Sequence, residues 1–296
     1  MRVGLINIEP KIFNTAYMQI AAYHKGRGDS VEWWLPLTHR RLDVVYCSSL
    51  FDFTDKSAIP DDVICGGTGF DVTSRLSRVI EDSPVDYSLY PDCRTSYLWF
   101  SRGCIRNCPW CIVPAKEGWI KAAEHKNLNP RGEYVTVCDN NFFANRKWPE
   151  AISALIDIGQ QVDFQGVDVR ILTRNMCRSL RKLRHYKQIK IAWDDPKEDL
   201  REHLQRMLRF VPYWQIMCYV LIGYSSSEQE DLYRIEILRN LGIDPFVMPY
   251  DKSDSYQRSL ARYVNNKKIF KKCRWSDYWG RVENQEAMGC GWSSPR

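Results

Sequence analysis

Three cysteines within eight residues constrain this chain more than any other feature of its sequence. Cys104, Cys108 and Cys111 are separated by three and then by two residues. Such a short segment can direct three thiolates toward a single small metal cluster. Thiolates are the ligands that hold iron–sulfur clusters. If three cysteines hold a [4Fe–4S] cluster, one iron keeps an open position. The spacing therefore predicts a metal site that performs chemistry, because such sites keep an open coordination position.

A zinc knuckle is the alternative interpretation of the same cysteines. Structural zinc requires a fourth protein ligand. The nearest downstream histidine, His125, follows Cys111 by 14 residues, and the chain has no second Cys-x-x-Cys pair. We therefore favour the iron–sulfur interpretation.

Length and composition indicate a globular protein. The chain has 296 residues, of which 44% are hydrophobic, which suits one large domain or two small ones. No apolar run reaches the roughly 18 residues that cross a membrane. The first eight residues turn polar too soon for a signal peptide, so we expect a cytoplasmic protein without membrane contact. The net charge of +6 permits an anionic partner.

The other cysteines show no pattern of a disulfide framework. Eleven cysteines are many for a cytoplasmic chain, but their spacing does not match the small secreted domains that disulfides stabilise. Five of them lie in or beside apolar runs and are predicted to be small core residues. These are Cys47, Cys65, Cys138, Cys177 and Cys218.

Residues 1–90 alternate short apolar segments with longer, helix-like ones. Predicted strands cover 3–8, 31–35, 42–47 and 63–65, and predicted helices cover 15–25 and 70–80. Short apolar strands that alternate with helices imply a parallel sheet. We therefore predict a doubly wound α/β domain over residues 1–90.

A second series of strands follows a predicted linker at 83–96, which contains two prolines. These strands are predicted at 97–101, 134–138, 162–165, 189–193, 215–222 and 244–248. Helices follow them, with the weakest helical pattern after the first strand. The pattern predicts a partial (β/α)6 barrel over 91–250 and a C-terminal helical extension over 251–296. Active sites of parallel barrels lie at the carboxyl ends of the strands, where the cysteine loop falls.

The cysteine motif, with Trp110 just before its third cysteine, resembles that of the radical S-adenosylmethionine (radical SAM) enzymes. The continuation over 112–118 resembles the branch that includes methylthiotransferases and proteins with a cobalamin-binding domain. The resemblance implies a [4Fe–4S] cluster held by Cys104, Cys108 and Cys111. It also implies S-adenosylmethionine bound to the open iron and cleaved to a 5′-deoxyadenosyl radical that abstracts hydrogen from an unknown substrate. A flavodoxin-type protein or a reductase is the implied electron donor.

Two short elements extend the resemblance to the N-terminal domain. Ser48-Ser49-Leu50 and Gly66-Gly67 are similar to the Ser-x-Leu and Gly-Gly elements of cobalamin-binding domains, although ordinary strand-end loops have the same composition. The family often carries a cobalt-ligating histidine after the first strand. Here that loop begins at Glu9 and lacks histidine, and His24 is expected at the surface of a helix. We predict a cobalamin-domain-like fold without the cofactor, although some relatives bind cobalamin without a histidine ligand.

The resemblance also implies side chains that hold S-adenosylmethionine. Trp110 is expected to support the adenine, and Asp139 or Asn140 to meet the methionine amino group at the end of the second barrel strand. The Gly-Gly-Glu form usual there is absent, so this match is positional. Loop packing by Trp110 and capping by Asp139 or Asn140 are the alternatives.

Three later positions complete this set. Arg170 is expected to pair with the methionine carboxylate, Asp168 with the ribose hydroxyls, and Gly223 to let the backbone approach the adenine. A surface salt bridge between Asp168 and Arg170 and a plain turn at Gly223 are the alternatives.

Two other functions remain open at the level of sequence. A methyl- or methylthiotransferase acting on RNA or protein is one, and its second cluster would need Cys47, Cys65 and Cys93. A metal-stabilised nucleic-acid-binding protein is the other. Basic residues alternate with aromatic ones over 267–279, a pattern that can bind nucleic acid, although we favour packing of these aromatics against the barrel.

Overall fold

The computed structural model describes residues 1–124 and 127–279. The chain forms two compact units, Met1–Gln165 and a second that begins at Gly166. The domain boundaries near residues 90 and 250 therefore stay predictions. His125, Cys290 and the last part of the predicted C-terminal extension lie outside the described residues.

The first unit begins with a four-stranded parallel sheet of order β2-β1-β3-β4. Its strands are β1 (Arg2–Ile6), β2 (Ser30–Trp33), β3 (Val44–Ser48) and β4 (Ile64–Gly66). This confirms the predicted parallel α/β sheet. Chain order reverses between β1 and β3, and ligands of open parallel sheets bind at such switch points, beyond the carboxyl ends of the strands.

The helices around this sheet are α1 (Thr15–Gly26), α2 (Arg78–Glu81) and the 3-10 helices Pro36–Arg41 and Tyr87–Leu89. The helix predicted at 15–25 is confirmed, and Asn14 caps it by accepting the Ala16 N–H at 3.0 Å. The helix predicted at 70–80 is wrong over most of its length. There the Asp71 carboxylate accepts the Thr73 N–H at 2.8 Å, and side chains that bond nearby backbone in this way favour turns over helix.

The segment predicted as a linker is packed instead. Val85, Tyr87, Tyr90 and Cys93 are buried together with Met18 of α1. Aromatic side chains on a proline-containing segment thus form part of a core, and the linker prediction is wrong for residues 85–93.

The remaining strands of the first unit are β5 (Thr95–Leu98), β6 (Ser101–Arg102), β7 (Lys121–Ala122), β8 (Tyr134–Val137) and β9 (Gln161–Phe164). β5, β8 and β9 form a parallel sheet in that order, whereas β6 and β7 form an antiparallel hairpin that the sequence did not predict. The helices here are α3 (Val113–Lys116), α4 (Trp148–Ile158) and the 3-10 helix Phe142–Ala144.

The second unit contains a three-stranded parallel sheet of β10 (Ile189–Ala192), β11 (Ile216–Ile222) and β12 (Asp244–Pro249). Its helices are α5 (Arg174–Lys182), α6 (Arg201–Leu208), α7 (Glu228–Asn240), α8 (Ser255–Asn265), α9 (Lys267–Lys272) and the 3-10 helices Val169–Ile171 and Tyr213–Gln215. Ser227 and Glu230 form the capping box of α7. Closure of six strands into one barrel stays a prediction.

The expectation for His24 is wrong. His24 is buried rather than at the surface, because its ring nitrogens lie 2.7 Å from Asp29 Oδ2 and 3.1 Å from the Tyr46 hydroxyl. In the second unit Trp275 packs against Tyr256 and Tyr263 of α8, within the predicted C-terminal extension, and packing of these aromatics against a barrel stays a prediction.

Across residues 1–124 and 127–279, no helix is both long and apolar enough to cross a membrane.

Candidate metal centre and adjoining cleft

The cysteine loop begins on the β6–β7 hairpin, which fixes its first residue. Gly103 has φ +83°, a left-handed conformation that favours glycine. A Cβ at this position would lie 2.6 Å from both the Gly118 and Trp119 carbonyl oxygens. The next N–H, that of Cys104, donates to the Gly118 carbonyl at 3.2 Å. The packing of Gly103 and the hydrogen bond to the Gly118 carbonyl therefore fix the backbone of Cys104.

The Glu117 carboxylate ties three parts of this region together. It accepts the Gly103 N–H at 2.7 Å and the Asn140 side-chain amide at 2.7 Å. It also pairs with the Arg102 guanidinium at 2.7 Å. Asn140, a predicted cofactor contact, is thereby brought to the cysteine loop. Glu117 itself was missed, because its partners at Gly103 and Asn140 are distant in sequence.

Asp139 supports the same loop from inside the fold. Its side chain is 1% exposed and accepts the Phe100 N–H at 2.9 Å and the Ser101 hydroxyl at 2.5 Å. Burial raises the pKa of Asp139 to about 6, although both hydrogen bonds oppose the rise. The carboxylate therefore fixes Phe100 and Ser101, which lie shortly before the cysteines. A contact with a methionine amino group stays a prediction.

The three cysteines differ in exposure. Cys104 and Cys108 are half-buried and Cys111 is exposed. The Cys104 sulfur accepts the Arg106 N–H at 3.4 Å and the Asn141 side-chain amide at 3.7 Å. Trp110 is half-buried between the second and third cysteines. Asn141 is a loop contact that the sequence interpretation passed over, although it adjoins the predicted Asp139 and Asn140.

The donor chemistry of this loop fits an iron–sulfur cluster. Thiolates are the ligands such clusters require, and hydrogen bonds to the sulfurs tune their reduction potential. Two N–H groups already point at the Cys104 sulfur. The side chains are not gathered into a formed metal centre: within residues 1–124 and 127–279, no group of three or more His, Cys, Asp or Glu residues is placed to hold a metal ion. The argument for a cluster therefore depends on the three thiol ligands and on the hydrogen bonds that fix Cys104.

A cleft of about 1490 Å³ lies within the first unit beside this loop. Trp99 and Arg102, which precede the cysteines, line one part of it, and the carboxyl ends of β3 and β4 line another. Cys47 and Cys65 are register partners on these two strands and both line the cleft. Cys47 is buried as predicted, whereas Cys65 is exposed, which corrects its assignment to the core.

The Glu9 carboxylate accepts hydrogen bonds from the loop that follows β3. Glu9 accepts the Leu50 N–H at 2.9 Å, the Phe51 N–H at 3.1 Å and the Thr54 hydroxyl at 2.7 Å. Burial opposes ionisation, but these hydrogen bonds outweigh it and lower the pKa of Glu9. Glu9 stands where a cobalt-ligating histidine loop would be expected, and its charge is satisfied by the loop that follows β3.

Asp168, Arg170 and Gly223 belong to the second unit. Arg170 Nε donates to Asp168 Oδ1 at 2.6 Å, and its Nη1 pairs with Glu198 at 2.5 Å. Burial acts to lower the pKa of Arg170, but Asp168 and Glu198 raise it above its usual range. The salt bridge weighed as an alternative is therefore formed, and both residues' cofactor roles stay predictions.

Gly223 is required by local packing. It has φ +78°, and a Cβ there would lie 2.2 Å from Gln257 Nε2. The close approach expected for an adenine is made by the Gln257 side chain in this structure. The adenine role of Gly223 stays a prediction.

Comparison of the sequence with models of known protein families gave no match, and no curated protein matches it. The functional argument therefore rests on the residues themselves.

Proposed function

We propose that this protein is a radical SAM enzyme whose cluster is held by Cys104, Cys108 and Cys111. The observation that carries the proposal is the supported cysteine loop, with three thiols in eight residues and two N–H groups directed at the Cys104 sulfur. A [4Fe–4S] cluster held by these cysteines would supply the electron for reductive cleavage of S-adenosylmethionine, and that cleavage would supply the radical chemistry for hydrogen abstraction from the substrate. The electron comes from a flavodoxin-type or reductase partner.

The chain's own residues position the ligands. Gly103 and Glu117 hold the backbone before Cys104, and Asp139 holds the backbone of Phe100 between β5 and β6. Asn141 donates to the Cys104 sulfur at 3.7 Å, and hydrogen bonds to the sulfurs tune the reduction potential of a bound cluster. Trp110, next to the third ligand, is the ring we assign to the adenine.

A single cluster is the version we favour over the methylthiotransferase alternative. A second cluster would need Cys47, Cys65 and Cys93. Cys47 and Cys65 are neighbours, but Cys93 is buried in a separate apolar cluster with Met18 and Tyr87. Burial also raises the pKa of Cys47 to about 12 and that of Cys93 above its usual range, which opposes the thiolate form that metals bind.

Cobalamin is not part of the proposal. Glu9 occupies the loop after β1 and satisfies the donors of the loop after β3. Nucleic-acid binding through the C-terminal basic residues is also less supported, because Lys267 pairs with Asp244 and Arg274 with Glu236.

The test is metal analysis after anaerobic purification and reconstitution. We expect about four irons and four sulfides per chain, with visible absorbance that dithionite bleaches. Cys108→Ala should lose the cluster, whereas Cys273→Ala, a cysteine outside the loop, should keep it. About eight irons would favour the methylthiotransferase version, and zinc without iron would refute both enzyme proposals.

A further inference from the structure

The cleft of the first unit carries a cluster of cations on the wall that adjoins the cysteine loop. Arg75, Arg102 and Lys116 all line it. Lys116 Nζ donates to Thr68 Oγ1 at 2.5 Å, and the Arg75 guanidinium donates to the Lys116 carbonyl. Arg102 pairs with Glu117, the residue after Lys116, so the three cations lie on one wall of the cleft. Burial lowers the pKa of Lys116, the Glu117 carboxylate opposes that shift, and the charges of Arg102 and Arg75 add to it. Such a wall attracts anions.

Carboxylates neutralise this wall only in part. Glu117 pairs with Arg102 at 2.7 Å. Three other carboxylates, Glu81, Asp82 and Glu124, also line the cleft, together with the cations Arg78 and Lys121, and Arg78 pairs with Asp82 at 3.5 Å. Within the described part of the chain, neither Arg75 nor Lys116 forms a salt bridge with a carboxylate. The cluster therefore keeps positive charge for an external ligand.

The position of Lys116 matches the edge where parallel sheets bind ligands. Its contact with Thr68 places the ammonium at the loop that follows β4. Ligands of open α/β sheets bind beyond the carboxyl ends of the strands. The donors of the neighbouring loop after β3 are already bound by Glu9. We therefore expect an external anion to bind at Lys116, beside the loop that follows β4.

The remainder of the cleft suits an organic group. The whole cleft has a volume of about 1490 Å³, more than the roughly 300–1,000 Å³ of ordinary small-molecule pockets. The Trp99 ring lies 5.3 Å from the Arg102 guanidinium, and Leu50 and Leu76 add apolar surface. Aromatic rings of this kind stack with planar bases. The ligand thus combines a strong anion with a bulky, partly apolar body.

We propose that this cleft binds a phosphate ester through Arg75, Arg102 and Lys116, with its organic part along Trp99, and that this ester is the substrate of the enzyme. A phosphate monoester carries about −1.5 to −2 charges, more than a carboxylate, and so suits a wall on which Arg75 and Lys116 form no salt bridge with a carboxylate of the described residues. Its role as substrate rests on the proposed function, whereas the binding of phosphate does not.

Calorimetric titration of the full chain with inorganic pyrophosphate tests the site, without cluster reconstitution and without S-adenosylmethionine. We expect saturable binding that weakens at least about tenfold in Arg75→Ala/Lys116→Ala, because each lost charged contact is worth about a factor of ten or more. The matched control is Lys11→Ala/Arg40→Ala, which removes the same charge from exposed positions outside the cleft. This control should bind like the wild type.

Two results would overturn the assignment: no saturable binding by the wild type, or equal weakening in both double variants. Circular dichroism checks that the variants fold. If Arg75→Ala/Lys116→Ala does not fold, Lys116→Gln replaces it, since glutamine can still donate to Thr68, and the same weakening is expected with a smaller factor.

Competition then identifies the source of the phosphate. Displacement of pyrophosphate by a nucleoside monophosphate supports a free nucleotide, and displacement by a short single-stranded oligoribonucleotide alone supports a nucleic acid. If neither displaces pyrophosphate, the phosphate-ester assignment is wrong. Because these titrations need no iron, failure here leaves the cluster proposal standing, and an absent cluster leaves phosphate binding standing.

Discussion

Three carboxylates fix the loops around the cleft by accepting hydrogen bonds from backbone N–H groups. Glu9 holds the loop after β3, Glu117 holds Gly103, and Asp139 holds Phe100. Charge-assisted hydrogen bonds of this kind are stronger than neutral ones. The residues before the cysteines are therefore held by contacts that do not use the thiols.

The variant Asp139→Asn tests the role of this carboxylate through the pH dependence of protein stability. The folded-state pKa of Asp139 is raised to about 6, so the folded protein takes up this proton before the unfolded chain does as pH falls. This contribution to stability is complete below the unfolded pKa and is lost as pH rises through 6. Asparagine cannot titrate. Between pH 7.5 and 5 the wild type should therefore gain about 1 kcal/mol relative to the variant, measured by thermal unfolding at both values. A difference that does not change with pH would contradict the assignment.

Single residues show how far sequence reasoning reaches at this scale. The cysteine spacing predicted a shared loop, and Asn140 was placed near it. The role of Asp139 depends on Phe100, 39 residues earlier, and no local pattern reveals that partner. His24 was misplaced for the same reason, because its partner Tyr46 lies in β3, 22 residues later in the sequence.

At the scale of elements, the hairpin of β6 and β7 is the part that positions the cysteine loop. Its strands are two residues long, too short to show alternation of apolar and polar side chains, so the sequence could not predict them. The ends of α4 carry local sequence signals that are typical of helix termini, since Pro149 lies in its first turn and Gly159 follows its end with φ +69°.

Gly103→Ala tests this element, with Gly118→Ala as its matched control. Both glycines have positive φ, but only at Gly103 would a Cβ meet backbone, whereas at Gly118 it would meet nothing within 4 Å. Gly118→Ala should lower the thermal midpoint of unfolding by about 2–4 °C, from backbone strain of roughly 1 kcal/mol. Gly103→Ala should lower it clearly further, since overpacking adds about 1–3 kcal/mol. Equal midpoints would show that the hairpin does not constrain this position.

At the scale of the whole molecule, the parallel α/β architecture followed from strands that alternate with helices. Boundaries were harder to predict, because packing decides them. The proline-containing segment after residue 83 joins the core through Val85 and Tyr87, and the first compact unit continues to Gln165. The proposed phosphate site was beyond sequence reasoning, since Arg75, Arg102 and Lys116 are brought to one cleft only by the folding of the first unit.

The most direct measurement of the central claim is the formation of 5′-deoxyadenosine. The reconstituted protein is incubated anaerobically with dithionite and S-adenosylmethionine, with and without candidate phosphate esters, and the products are separated by liquid chromatography. We predict 5′-deoxyadenosine and methionine from the wild type and from Cys273→Ala, and neither above background from Cys108→Ala. A wild-type protein with a reducible [4Fe–4S] cluster that forms no 5′-deoxyadenosine under any of these conditions would contradict the account.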